Sequence, residues 1–536
     1  MTSKTERHQI ETIQSAVQLP CGRVMSNRLV KAPMEEMLGL GELEESLYET
    51  WAAGGYGMII SGNVQVSSEH LGTPFDVTVP QPGADSASRR KAFARWASSC
   101  RPVASTSTSE PPLAIMQLNH PGRQSMRFLC GRSYSEPSLA PSAVPLAMGK
   151  NALARLVSRG LWGTPREMSE RDIDEVVEQF VAGARLARET GWDGVELHAS
   201  HGYLLAQFMS PKVGQCDHTL PSTAHVDLEQ VNRRQDAYGG TARKRLTLLF
   251  RILDAIRAEM PQRAGFVVGV KLNSSDYVKG GLTEQDALDN VKWIAEHGGV
   301  DFLEISGGSY ERPEFMNPLA RPDRPSAREA FFDAFSQRAR WVISTLPSST
   351  LPSPPPLIVL TGGLRTRAGI ASVLSSPTKT PATADLVGLA RPSAADPFLP
   401  RRLVDPSIPS AMATAPTYDS LSGVRTLRWL FGWISIAGPG LDVLYHAMLL
   451  RQIALRRMEE KRKRGSLFGE SGGEGGQVAP PTIRRGADDD ANPLSNFWVL
   501  AWRVYVAPLV PVPGWMVGLA GGLVLAVYGR YWKWVD

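Results

Sequence analysis

Short apolar runs rich in β-branched residues recur along the chain, separated by longer stretches in which apolar residues return at helical spacing. Eight runs stand out, at 29–33, 57–62, 113–118, 194–198, 267–272, 301–306, 357–361 and 385–389. Runs this short and this continuous suit strands buried on both faces, as in a parallel sheet. Their alternation with helical patterns predicts βα units, and eight such units close a (β/α)8 TIM barrel. One helix announces its own start. Ser169 can cap it, Asp172 stands three residues on, and Ile173, Val176, Val177 and Phe180 then mark a single buried face.

Three stretches break the pattern and read as surface loops: 347–356, rich in Pro and Ser; 375–384, rich in Pro and Thr; and 214–231, of mixed polar character. The barrel is expected to occupy 1–423. An amphipathic helical extension with a basic end, Arg456 to Arg464, follows over 424–464. Residues 465–493 are Gly-, Ser- and Asp-rich and predict a disordered linker, because they offer too little apolar surface to offset ordering. Residues 494–536 form an apolar tail. Within it 504–528 carries no formal charge and has the length of a membrane-spanning helix, although Pro508, Pro511 and Pro513 delay any regular helix to about Gly514. The tail is expected to anchor the chain in a membrane or lie at its interface, with the barrel in the cytosol; if it does not insert, the protein is cytoplasmic.

Composition narrows the function classes. With 43% hydrophobic and 21% charged residues the chain is neither wholly disordered nor a multi-span membrane protein. The net charge of +5 comes from Lys and Arg spread along the chain, which argues against a nucleic-acid partner. Cys21, Cys100, Cys130 and Cys216 form no CxxC pair, so neither an iron–sulfur nor a zinc site is expected, and no metal. The polar N-terminus lacks the apolar run of a secretory signal.

The run 194–208, GVELHASHGYLLAQF, is the richest in chemistry. A strand ending at His198 places His201 and Tyr203 on the loop that follows, where barrel enzymes keep their reactive groups. Two imidazole N–H groups could hold a carbonyl oxygen on which negative charge grows, and a phenol could supply a proton. The competing reading is two histidines packed and bonded for structure. Thr361-Gly362-Gly363-Leu364-Arg365 and Gly388-Leu389-Ala390-Arg391 follow the last two strands, where this fold commonly binds phosphate.

ELHASHGYLLAQF, SPK and NRRQDAYGG, together with LPCGRVMSNRLVKAPM, AIMQLNHPGRQS, VVGVKLNSSDYVKGGLTEQDA, FLEISGGSYE, VLTGGLRTRAG and DLVGLARPSAADP, resemble the Old Yellow Enzyme or NADH:flavin oxidoreductase family in order, from about residue 10 to 410. The resemblance implies bound FMN, NADH or NADPH as reductant, and reduction of the activated C=C bond of a small, lipophilic α,β-unsaturated carbonyl compound. It implies Pro33 and Met34 beside the flavin ring and Gly62, at the end of the second strand, leaving space for that ring. Gln117 is implied at the pyrimidine edge and Lys271 near N1 and O2. Gly362, Gly363, Ala390 and Arg391 are implied at the phosphate, His198 and His201 at the substrate carbonyl, and Tyr203 as proton donor, with Met37 lining the substrate pocket. Glu35 stands where the family commonly carries Thr or Cys, and is expected to be protonated or turned outward. Alternative activities are quinone reduction or NAD(P)H oxidation, or a flavin-loaded membrane scaffold; a place in fungal secondary metabolism is a further expectation from the resemblance.

Overall fold

A computed structural model describes residues 3–81, 86–101, 110–127, 130–146, 152–210, 231–276, 281–306, 332–374, 382–416 and 437–467. All lie in the first of two compact units, Met1–Pro480; the second, Pro481–Asp536, falls outside the described residues.

All eight apolar runs become parallel strands: β1 Leu29–Lys31, β2 Met58–Gln65, β3 Leu113–Asn119, β4 Gly194–Ala199, β5 Val267–Asn273, β6 Phe302–Ser306, β7 Leu357–Thr361 and β8 Leu386–Leu389. Each pairs with the next, and β8 returns to β1 with Val387 opposite Leu29, so the barrel closes. The strand β1 stops short of its predicted end because Pro33 has no N–H to give the ladder. The strand β2 instead runs three residues past Gly62, with a register shift between Ile60 and Asn63. Gly62 therefore lies within a bulged strand and not at its end.

Inside the barrel Val30, Met58, Ile60, Ile115, Val267, Phe302, Val359 and Leu386 pack together. Leu19 and Cys21, in the turn that joins Val17–Gln18 to Val24–Met25, and Met25, on that antiparallel pair, join this cluster from the N-terminal segment. A larger apolar layer separates the strands from the helices α1 Glu42–Gly54, α2 Ser86–Ser99, α3 Glu170–Glu189, α4 Thr247–Glu259, α5 Glu284–His297, α6 Asp333–Thr345 and α7 Arg367–Leu374. The start of α3 is as the sequence predicts. The Asp172 carboxylate accepts the Ser169 amide at 2.7 Å, the Ser169 hydroxyl accepts the Asp172 amide at 3.3 Å, and Ile173, Val176, Val177 and Phe180 are buried.

The packing of the barrel extends beyond residue 423, where the sequence reading ended it. A long helix, α8 Ala437–Leu467, lies against α1. Its Leu450 and Ala454 are buried, and Glu49 of α1 receives Lys461 at 2.8 Å and Arg457 at 3.5 Å. The basic run thus belongs in part to a helix–helix contact. Of the predicted loops, 347–356 contains only a single turn at Ser348–Thr350, and 214–230 and 375–381 lie outside the described residues. So do most of the linker and the apolar tail; among the described residues no helix is long and apolar enough to cross a membrane.

Candidate active site

The strand β4 ends in a sharp turn before a short helix, Leu204–Met209. Two successive residues of that turn, His201 (φ 58°) and Gly202 (φ 75°), take left-handed backbone. His is among the few side-chain-bearing residues enriched there, and a strained residue of this kind persists only where its surroundings hold it. His201 is held from three sides. Its amide donates to Asn273 Oδ1 at 3.1 Å, its carbonyl accepts from Gln124 Nε2 at 2.9 Å, and its Nε2 meets Ser306 Oγ at 2.9 Å. The turn brings the His198 ring to 5.1 Å from His201 and 4.7 Å from Tyr203, centre to centre.

His198 is 4% exposed, and burial, with the neighbouring His201 and Lys271, drives its pKa well below the usual histidine range. Burial followed by Lys271 does the same to His201. Both imidazoles are neutral at pH 7. The Ser200 amide, which can only donate, lies 3.3 Å from His198 Nδ1; Nδ1 therefore accepts, and the ring proton resides on Nε2. His198 is thus a neutral hydrogen-bond donor.

Glu35 is neither turned outward nor remote from the reacting groups. Its Oε1 accepts the Tyr203 hydroxyl at 2.7 Å and the Asn63 amide at 2.9 Å. Burial first, then the charge of Asp76, raise its pKa to about 7 against the bonds from Tyr203 and Asn63. Its neighbour Glu36 faces the other way, accepting Lys31 Nζ at 2.8 Å and the Tyr48 hydroxyl at 2.9 Å, while Lys31 lies 4.0 Å above the Trp51 ring. Gly62 makes this crowding possible. A Cβ there would lie 2.4 Å from the Met34 carbonyl oxygen and closer still to the Glu36 carboxylate, so the space it spares is taken by the β1 loop. Pro33 is buried and Met34 half-buried on that loop, and Met37 has left-handed backbone (φ 55°). Met37, Glu35, Asn63, Phe75 and Asp76 line a small cleft, with room for little more than a water molecule.

Deeper in the mouth the parallel register sets charged groups side by side. Lys271 stands opposite His198 on one side and Glu304 on the other. Its Nζ donates to Glu304 Oε1 at 2.9 Å, and Gln117 Nε2 donates to Glu196 Oε2 at 2.6 Å. Burial and the charge of Glu304 push Glu196 well above the carboxylate range, so Glu196 is protonated at neutral pH. Lys271 is buried, as a cofactor-facing lysine requires, yet its charge is already countered by Glu304. Glu196, Glu304, Asn63 and Asp76 escape motif reading. A single charged residue inside an apolar run, as in GVELH and FLEIS, is the signal that marks the first two.

At the ends of β7 and β8, Gly362 (φ 145°) and Gly363 (φ 75°) adopt backbone that a side chain disfavours. Ala390 is half-buried, Arg391 is exposed at the start of a single helical turn, and the Thr361 hydroxyl is buried without a hydrogen-bond partner. These residues fit a flavin mononucleotide. Lys271 and Gln117 carry nitrogen donors near the carboxyl ends of β5 and β3, the Gly362-Gly363 turn follows β7 where this fold commonly binds phosphate, and the buried Thr361 hydroxyl lacks a hydrogen-bond partner.

The family described as NADH:flavin oxidoreductase / NADH oxidase matches residues 22–222. The NADH-dependent flavin oxidoreductase iliE of Neonectria sp. is 40% identical over 399 residues, covering 72% of this chain. The iccE oxidoreductase of Talaromyces variabilis is 35% identical over 435 residues, covering 78% of it. The matched region spans 46% of the Neonectria protein, about half its length, and 94% of the Talaromyces one. Among solved structures, an Old Yellow Enzyme homologue from Zymomonas mobilis is 20% identical, with TM-score 0.52 over 76% of this chain and 99% of its own. Morphinone reductase is 19% identical, with TM-score 0.52 over 76% and 96%. These two share the fold. The barrel, its strand-end site and the sequence matches place the chain plainly: it belongs to the NADH:flavin oxidoreductase / NADH oxidase family, of the Old Yellow Enzyme kind.

Proposed function

We propose that this FMN- and NAD(P)H-dependent oxidoreductase reduces the activated C=C bond of an α,β-unsaturated carbonyl compound. The observation that carries the reading is a buried, neutral His198 packed 4.7 Å from the Tyr203 ring. Bound FMN supplies the hydride, which it receives from the nicotinamide. His198 donates to the substrate carbonyl oxygen, and being neutral it polarises that oxygen without surrendering a full proton. His201, fixed by Asn273, Gln124 and Ser306, supports the same oxygen from the other side of the turn. Tyr203 delivers a proton to the α-carbon. Gln117 and Lys271 would hold the flavin ring, and the turns at Gly362, Gly363 and Ala390, with Arg391, would take its phosphate. Pro33, Met34 and Glu35 would border the ring from the β1 loop, and Met37 would border the substrate.

Anaerobic half-reactions test this. With Tyr203→Phe, reoxidation of the reduced flavin by an enone is expected to slow by roughly 10²–10⁴ while reduction by NADH continues. Equal loss in both half-reactions, or reoxidation by quinones when no enone reacts, overturns the proposal.

A further inference from the structure

Three elements converge on one phenol. Besides accepting the Tyr203 hydroxyl, Glu35 accepts the Asn63 amide, and that amide also reaches the Tyr203 oxygen at 3.4 Å. Taking Tyr203 as the proton donor of the reaction above, we propose that Glu35 is a positioning residue that directs the Tyr203 hydrogen and resupplies it. As a carboxylate, Glu35 claims that hydrogen for itself. As a carboxylic acid it donates to the phenolic oxygen, leaving the hydrogen free to meet the substrate.

The proton count closes. The Tyr203 O–H bond breaks as a C–H bond forms at the α-carbon, the hydride on the β-carbon having come from NAD(P)H by way of FMN. The Glu35 O–H bond then breaks as the Tyr203 O–H bond re-forms. Solvent in the cleft bounded by Asn63, Phe75 and Asp76 returns a proton to Glu35.

The surroundings of Glu35 are those of a group that changes charge near neutrality. Asp76 faces it across the cleft, itself held by the Gly72 and Thr73 amides, the Thr73 hydroxyl and the Gln65 amide. Glu36 adds a smaller repulsion, tempered by Lys31. Burial and these charges lift Glu35 to about 7, so both of its forms are populated at working pH. Deprotonation above that point withdraws the Tyr203 hydrogen, and substrate reduction slows as pH rises. If Glu35 merely anchors the β1 loop, no such limb exists.

The test uses the full-length FMN-loaded protein. Enone-driven reoxidation of the reduced flavin is expected to fall about tenfold per pH unit above about 7. The limb is expected to vanish in Glu35→Gln, whose amide donates to Tyr203 at every pH. In infrared difference spectra, the carboxylic acid band lost in Glu35→Gln titrates near the same pH in the unaltered protein. It titrates higher in Tyr203→Phe, which lacks the bond favouring the charged form. A limb retained in Glu35→Gln, or a band midpoint unmoved by Tyr203→Phe, overturns the proposal. An enzyme that reduces no enone refutes the functional reading and not this coupling, which the infrared midpoints decide alone.

Discussion

At the scale of single residues, the site is governed by protonation states that burial imposes. Glu35 also carries a consequence for stability. Its folded pKa lies above its ordinary value of 4.5, at about 7, so folding favours the protonated form. Its contribution is fully present below 4.5 and is lost as pH rises toward 7. Glu35→Gln is therefore expected to raise Tm more at alkaline than at acidic pH, a difference read by calorimetry at the two pH values; an equal change at both contradicts the shift. His198→Ala removes the neutral donor and leaves His201 in its turn. Substrate reduction should drop by about 10²–10³, the usual cost of one such donor, with NADH-driven reduction of the flavin as the internal control. The sequence makes His198, His201 and Tyr203 legible because a motif holds them within six residues. It cannot show that Glu35 turns onto Tyr203, since that bond joins positions 168 residues apart and depends on a bulge at Gly62.

Secondary elements were legible to different degrees, for reasons of range. The cap of α3 is a local contract between Ser169 and Asp172, readable from spacing alone. Ser169→Ala should lower stability by about 1 kcal/mol without touching the flavin site, as denaturant unfolding would show. The bulge in β2 is not local. Within it the Met34 carbonyl and the Glu36 carboxylate occupy the space that a side chain at residue 62 would need. Gly62→Ala should cost about 1–3 kcal/mol and disturb Lys31, Glu36 and Glu35 together, so flavin affinity and stability are expected to fall in parallel. A fall in neither, by fluorescence titration and thermal unfolding, shows that the loop has room to move. Strand ends shifted for a related reason: periodicity counts apolar residues, whereas a ladder ends where a proline lacks its donor, as at β1, and can run on past a bulge, as in β2.

For the whole molecule, the closed eight-stranded barrel was evident from alternation, because each unit repeats one pattern and closure needs only their number. The place of α8 was not. Its charged run reads as solvated or surface-seeking, and only the structure shows Glu49 of α1 meeting Lys461 and Arg457. Truncation at 423 bares α1 and should lower Tm by several degrees below that of truncation after Leu467, about what a loss of 1–2 kcal/mol brings in a large domain. Indistinguishable melting of the two truncations removes α8 from the barrel's support. The N-terminal pair that packs Leu19, Cys21 and Met25 into the barrel interior has a consequence for traffic. With that end filled, traffic to a flavin at the carboxyl ends of the strands is expected through the opposite face, where Tyr203 lies. On the function proposed above, nicotinamide and enone would share one doorway, each would keep the other waiting, and an excess of either should slow the enzyme it feeds.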